Sequence, residues 1–305
     1  MTNTLHITSI SELHAALGLG APAHPLVSFF NPSQVKHGIT ETVKICFDLY
    51  LMSLKDSAHC MVGYGHTSYD FDIGTMTFLA PGQEVVIEAT EPLESSLGWT
   101  IAFHPQLIGK SDLSSKLSQF TFFEYQNSEA LHLSECERVM VTDIASSIGN
   151  ETEMNMDKHT QSLICSSIEL LLKYCSRFYD RQFIVRGDLN HDYMRRFNQF
   201  LDSYYQGEKP FEQGIPTVQY CGKEIGLSPY YLSDLLKKET GKTALEHIHL
   251  FLVERAKSQI LDTSDSITQI AYELGFEYPQ HFSKLFKAKT GISPRQFRND
   301  PTAIH

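Results

Sequence analysis

TVQYCGKEIGLSPYYLSDLLKKETG, from Thr217 to Gly241, is echoed by SITQIAYELGFEYPQHFSKLFKAKTG, from Ser266 to Gly291. The copies align without a gap to a shared glycine: Thr217 with Ser266, Val218 with Ile267, Cys221 with Ile270, Gly222 with Ala271, Ile225 with Leu274, Gly226 with Gly275. The second copy then carries one extra residue. Beyond it Leu232 matches Phe282, Leu235 and Leu236 match Leu285 and Phe286, and Lys237 matches Lys287. Two copies are too few for a solenoid, so the reading comes from each copy's internal physics.

Each copy reads as helix, tight turn, helix. Thr217 and Ser266 supply side-chain N-caps, and Ser266 with Gln269 has the spacing of a capping box. Val218, Cys221 and Ile225 form one apolar stripe at helical spacing; Ile267, Ile270 and Leu274 form the other. Gly226 and Gly275 stand where the chain reverses in a left-handed conformation. Ser228-Pro229 opens the next helix as N-cap and first-turn proline. That helix is expected to bury Leu232, Leu235 and Leu236, and its counterpart Phe282, Leu285 and Phe286. This is the helix-turn-helix layout, whose second helix enters the DNA major groove.

Fixing the buried faces fixes the outward ones. In the first copy Tyr230, Ser233, Asp234 and Lys237 point outward, with Lys238 beside them; in the second, Gln280, His281, Lys284 and Lys287 do. Lysine reaches guanine or phosphate, and glutamine addresses adenine with two hydrogen bonds. Asp234 opposes phosphate; it either accepts from a cytosine amino group or weakens this half. Any amphipathic helix has a polar face, but two copies with matching caps, glycines and stripes argue for more. Between them, Leu245, Ile248, Leu252, Ala256 and Ile260 recur at helical steps, which makes Ala244–Leu261 one rod. At about 1.5 Å per residue it spans roughly 27 Å. Successive major-groove faces lie about 34 Å apart. The rod is long enough to hold both reading helices on one duplex.

With these features, Ala256, Ile267, Ile270-Ala271, Gly275-Phe276, Phe282, Phe286-Lys287, Gly291, Ser293-Pro294 and Phe297-Arg298 resemble the DNA-binding domain of the AraC/XylS family of bacterial transcription regulators. Gln259 and Asp234 depart from that pattern. The resemblance implies double-stranded promoter DNA and RNA polymerase as partners, transcription activation, and a cytoplasmic location.

At 305 residues and 42% hydrophobic composition the chain is long enough for two cores. Its six cysteines (Cys46, Cys60, Cys136, Cys165, Cys175 and Cys221) include no CxxC pair and read as reduced thiols. No apolar run reaches the 18 or so residues of a membrane span, and the N-terminal residues do not resemble a secretion signal. The net charge of −11 is uneven: residues 186–305 hold 15 Lys/Arg and 15 Asp/Glu, so residues 1–185 carry the whole excess. An acidic partner domain repels stray DNA.

Residues 1–25 read as a loose arm. From Leu26 to Pro105 short apolar runs, bounded by Gly, Pro and Asp, read as strands: Ile45–Leu54, Cys60–Tyr64, Tyr69–Ile73, Thr75–Leu79, Glu84–Glu88 and Leu97–Phe103. Such spacing suggests a small β-barrel. The piece from Tyr69 to Gln83 resembles the cupin-like N-terminal barrel of many AraC-type regulators, which implies a small-molecule effector and dimerising helices after the barrel. Trp99, Ile101 and Phe103 share one strand face; if it is inward, they line a ligand pocket. His59 and His66, seven apart, form no HxH pair, so neither a metal nor another cofactor is expected. Phe120, Phe122, Phe123 and Tyr125 read as loop packing under the barrel.

Ser134 with Glu137 makes a capping box ahead of a helix with Val139, Met140, Ile144 and Ile148 in step. A second helix, from about Asp157 to Phe178, carries Ile164, Ile168, Leu171, Cys175 and Phe178; this stripe serves its own barrel or a homodimer. Gly187–Asn190 reads as a linker, Tyr193–Tyr204 as a helix, and Gly207–Pro216 as a loop.

The expected fold is therefore two-domain α+β. A cupin-like effector-binding and dimerisation domain occupies 1–186, and a linker with the next domain's first helix follows at 187–210. An all-α DNA-binding domain occupies 211–305, with units at 217–241 and 266–291. The expected function is a DNA-binding transcription regulator, not an enzyme. Two alternatives stay open: a regulator without an effector, controlled by a protein partner, and a cupin enzyme fused to a DNA-binding module.

Overall fold

The computed structural model describes residues 4–36, 43–55, 74–87, 98–207, 209–300 and 302. The chain divides into two compact units, Met1–Val185 and Arg186–His305.

The first unit begins with strand β1 (Thr4–Ile7) and helix α1 (Ile10–Leu17). The expected loose arm is in fact core. Ile7, Ile10 and Leu13 are buried, and Ser9 caps α1 by accepting from the Glu12 N–H at 3.2 Å. Strands β2 (Val27–Phe30), β3 (Val43–Phe47), β4 (Tyr50–Lys55), β5 (Thr75–Leu79), β6 (Glu84–Ile87) and β7 (Gly98–Phe103) follow. Then come the short helices α2 (Pro105–Ile108) and α3 (Asp112–Lys116), and strand β8 (Leu131–His132). The apolar run Ile45–Leu54 is not one strand: it breaks at Asp48-Leu49 and feeds both β3 and β4. Among the described residues the strands form two sheets, ordered β1-β3-β6 and β2-β7-β4-β5-β8, and do not close into a single barrel. The strands expected at Cys60–Tyr64 and Tyr69–Ile73, with His59 and His66, lie outside the described residues.

Register decides which side chains share a face, because directly opposed residues point the same way. Met52 opposes Ile101 and Phe78, while Leu54 opposes Trp99 and Met76. Leu51, one residue over, opposes Ala102 and Leu79. The Leu51–Ala102 face packs with Phe30 on Ile7, Ile10, Leu13, Ile45, Phe47 and Leu49. The opposite face lies under two long helices, α4 (Glu135–Glu153) and α5 (Thr160–Val185). The Trp99 indole N–H donates to Thr142 Oγ1 of α4 at 3.1 Å, and the Cys175 thiol of α5 lies 3.9 Å from Met76 Sδ.

The aromatic run packs as loop core. Phe122 lies 4.5 Å from Phe78 and 5.3 Å from Tyr179 between ring centroids. The Ser134–Glu137 capping box forms, but the stripe of α4 is rotated from the expected one. Val139 and Met140 are exposed, whereas Val141, Ala145, Ile148 and Gly149 are buried. A Cβ on Gly149 would stand 2.6 Å from Phe29 Cδ1, so only glycine lets the helix come this close to the sheet. On α5, the predicted stripe of Ile164, Ile168, Leu171, Cys175 and Phe178 is buried inside its own unit. The helix runs seven residues beyond the expected end at Phe178.

The second unit is helical. α6 (Gly187–Tyr204) already includes the expected linker, and the expected loop holds a short helix, α7 (Lys209–Gln213). Then come α8 (Val218–Ile225), α9 (Pro229–Thr240), α10 (Ala244–Asp262), α11 (Ile267–Glu273), α12 (Pro279–Thr290) and α13 (Pro294–Asn299). Gly226 and Gly275 take φ of +79° and +86°. Thr217 caps α8 by accepting from the Tyr220 N–H, and Ser266 caps α11 by accepting from the Gln269 N–H, each at 3.1 Å. The Gln269 amide does not return to close a box; it donates to Glu273 at 3.2 Å. Leu245 on α10 is exposed rather than part of its buried stripe, and Leu285 is half-buried.

Candidate nucleic-acid interface

The two reading helices are α9 and α12. Ser228 caps α9, accepting from the Tyr231 N–H at 3.2 Å, and Pro229 and Pro279 open the two helices. α9 buries Tyr231, Leu232, Leu235 and Leu236. α12 buries Phe282, Phe286 and Thr290. These anchors orient the opposite faces outward. On α12, Gln280, His281, Lys284 and Lys287 are all exposed, at the spacing of one helical face. On α9, Tyr230, Lys237 and Lys238 are exposed, whereas Ser233 and Asp234 are half-buried. Ser233 Oγ accepts from the Ala244 N–H at 3.4 Å, so it looks toward the start of α10 rather than outward. The two faces are therefore unequal, with α12 presenting the fuller polar set.

Lys237 and Lys238, and Lys287 and Lys289, sit in the last turns of α9 and α12. There they also complement the negative end of each helix, worth a few tenths of a kcal/mol to about 1 kcal/mol. The Tyr278 phenol, just before α12, is pushed up by its hydrogen bond and charge interaction with Glu277 and stays neutral. On α10, burial holds the His247 and His249 imidazoles below their ordinary range, with nearby Lys242 and Lys289 adding to the effect respectively.

The repeat extends beyond Gly241 and Gly291. Thr240 Oγ1 donates to Leu236 O at 2.7 Å and Thr290 Oγ1 to Phe286 O at 2.8 Å. Each hydroxyl then accepts from the amide two residues on, Lys242 or Ile292. These bonds satisfy carbonyls that a helix end leaves open. Two residues past each Thr-Gly pair, Thr243 and Ser293 open α10 and α13 with matching capping boxes to Glu246 and Gln296. The signal was in the sequence, as Thr-Gly followed by Thr or Ser and then Glu or Gln. His247 occupies the place of Phe297 in this extended repeat, bonded through Nε2 to Thr240 Oγ1 at 2.7 Å. Two further contacts had no sequence signal. The Asn190 amide of α6 donates to Glu239 Oε1 of α9 at 2.7 Å, and Arg298 of α13 donates to Asp265 O at 2.7 Å.

Trp99, Ile101 and Phe103 share a face as read, but it is the helix-covered one, so they do not line the space between the sheets. Within the first unit a cleft of about 450 Å³ lies elsewhere, lined by His14, Ser28, Phe30, Gln34, Lys36 and Thr152 among others. His14 Nε2 is bonded there to Ser28 Oγ at 2.7 Å.

Residues 221–300 match the family described as a helix-turn-helix domain. The chain is similar to the HTH-type transcriptional activator RhaS of Enterobacter sp. (strain 638), 30% identical over 145 residues, covering 47% of this chain and 49% of RhaS. It is also similar to the uncharacterized transcriptional regulatory protein YesN of Bacillus subtilis (strain 168), 38% identical over 92 residues, covering 28% of this chain and 25% of YesN. The C-terminal domain of AraT, a response regulator from Geobacillus stearothermophilus, aligns at 30% identity and TM-score 0.31, covering 35% of this chain and 84% of that one. The chain spans half or less of the length of these two curated relatives. Residues 221–300 of this chain belong to the helix-turn-helix domains of AraC type.

Proposed function

We propose that the protein is a sequence-specific DNA-binding transcription regulator, with α9 and α12 entering successive major grooves of one promoter duplex. The observation that carries this reading is the duplicated helix-turn-helix with exposed polar faces on both second helices. α10, at 19 residues, spans about 28 Å, which suits one turn of DNA. The proposed contacts are Gln280, His281, Lys284 and Lys287 on α12, with Tyr230, Lys237 and Lys238 on α9 and lesser parts for Ser233 and Asp234. Its similarity to an HTH-type transcriptional activator supports a role in activating transcription. RNA polymerase as partner and the cytoplasm as the place of action are part of the same proposal, and no catalytic role is assigned. Among the described residues, no helix is long and apolar enough to cross a membrane.

The same proposal gives the first unit an effector-sensing role; it is supported by two sheets that share one apolar core and by the His14–Lys36 cleft as a place for a small molecule. A bound effector would act by favouring one arrangement of the two units over another. Homodimerisation fits the outer face of α5, where exposed Leu163 and Leu170 recur at heptad spacing and exposed Ile184 lies 14 residues on.

The test is binding to duplexes selected from a random library by the full chain. Gln280→Ala and Lys284→Ala are each expected to weaken binding about 5- to 100-fold at fixed salt without shifting the unfolding midpoint. Unchanged affinity in both variants would reassign the reading face.

A further inference from the structure

We infer that Tyr204 and Tyr205, with the turn at Pro210 and Gly214, form a second strut, which with α10 locks the two helix-turn-helix units into one rigid body and so sets the half-site spacing the protein accepts. The inference rests on the DNA-binding reading above.

The strut touches both units and the rod. At its start, the Tyr204 ring lies 6.0 Å from Tyr220 of α8, and Phe200 just before it lies 5.6 Å from the same ring. This end is seated on the first unit. The next residue, Tyr205, turns to the rod: its ring lies 5.4 Å from Phe251, and Arg255 both stacks over it at 5.7 Å and donates through Nη2 to Tyr205 O. The Tyr205 hydroxyl donates to Leu274 O at the end of α11, at 3.4 Å, inside the second unit. Burial pushes the Tyr205 phenol up, so it remains a donor at any physiological pH. At the far end, the Tyr204 hydroxyl folds the strut back on itself by donating to Gly214 O at 2.8 Å. That bond presses strut backbone onto the turn of the second unit. A Cβ at Gly275 would stand 2.7 Å from Gly214 C and 2.9 Å from Pro210 O.

A single helix joining two small units leaves each free to swing at the few residues where it attaches. A second attachment, off the axis of the first, removes that freedom. The consequence falls on the DNA. One inserted base pair moves the second groove by about 3.4 Å along the axis and turns it by roughly 35°. A rigid body cannot follow, so affinity falls unless the duplex deforms.

The test uses the full chain and the duplex it selects from a random library, with one base pair inserted or deleted between the two protected half-sites. Wild type is expected to lose about 10-fold or more in affinity for each change of one pair. The double variant Tyr204→Phe with Tyr205→Phe removes both hydroxyls and keeps both rings, and Arg255→Met removes the grip on the rod. Each is expected to hold the selected duplex with reduced affinity yet lose less than about 3-fold on insertion. A residue that only stabilises the fold would lower affinity for every spacing by the same factor; the strut changes the ratio between spacings. Wild type that tolerates the insertion, or folded variants as intolerant as wild type, would overturn the strut. If no duplex is enriched, the DNA-binding reading itself fails, and the strut with it.

Discussion

Gly226 and Gly275 occupy matching positions in the two copies, and both take positive φ. Replacing each with alanine separates two reasons for a glycine. At Gly226 an added Cβ meets nothing within 4 Å. The cost there is the left-handed conformation alone, about 1–2 kcal/mol, partly offset by roughly 0.4–1 kcal/mol from a less flexible unfolded chain. The net is about 1 kcal/mol. At Gly275 the same strain applies, and the Cβ also overlaps backbone of Gly214 and Pro210. Backbone cannot rotate away as a side chain can. Overpacking of this kind costs a further 1–3 kcal/mol or so, giving about 3 kcal/mol in all.

Hydrogen exchange of helix amides reads this difference locally. Gly275→Ala should speed exchange across α11 and α12 about 30-fold more than Gly226→Ala speeds it across α8 and α9, the equivalent of some 2 kcal/mol. The chain's single tryptophan, Trp99, lies in the first unit, so its fluorescence transition serves as an internal control and should not move. Equal effects at the two glycines would refute the backbone contact, and with it the main evidence that the strut presses on the second unit.

Other outcomes follow from the same geometry. Burial holds the His247 imidazole below its ordinary range, so the unfolded chain binds the proton more readily than the folded one. Its contribution is present in full above the ordinary histidine range and lost as pH falls through the lowered folded value; the urea midpoint of the second unit should drop between pH 7.5 and 5.5, and His247→Gln should flatten that drop. Trp99→Ala should destabilise the first unit by about 3–5 kcal/mol, as an emptied core position does, measured by urea unfolding followed by circular dichroism. Trp99→Phe should cost less, because it keeps most of the ring and loses only the bond to Thr142. Leu163→Glu with Leu170→Glu should shift sedimentation toward monomer at micromolar concentration and leave that midpoint in place; an unchanged sedimentation profile would remove α5 as the pairing face.

The helix-turn-helix pair was legible because everything that defines it is local. A cap, a 3- to 4-residue stripe, a glycine and a proline each act within a few residues, and the duplication let one copy check the other. Failures came where tertiary packing outvotes local pattern. Gly187-Asp188-Leu189-Asn190 has linker composition, yet it is helical, with Asn190 buried against Glu239, some 49 positions away. On α4 the large side chains Val139 and Met140 drew the stripe, while the true face sets Val141 and Ile148 beside small residues, Ala145 and Gly149, that admit the sheet. The N-terminal segment looked polar because its three core anchors, Ile7, Ile10 and Leu13, are spread thinly. Alternation in β7 correctly put Trp99, Ile101 and Phe103 on one side, but period two is blind to which side is covered by helices. Ile45–Leu54 looked like one strand because nothing in an apolar run marks the corner at Asp48-Leu49.

The balance of charge gives these observations a common consequence. With 15 cations against 15 anions, the second unit has little long-range attraction for a polyanion, and residues 1–185 repel it. Salt-dependent, sequence-blind affinity must then be small. Binding has to come from close contacts made by two readers at once. The second reader gains from the first only to the extent that the first holds it at the correct distance and angle, since a mismatched connection loses the advantage altogether. A flexible joint would forfeit that gain just where charge cannot replace it. Rigid bracing of α9 and α12 is therefore what a near-neutral DNA reader requires. A strut variant should lose more affinity on the two-site duplex than on a duplex carrying either half-site alone, and a loss equal on all three would place the effect in one reader rather than in the coupling.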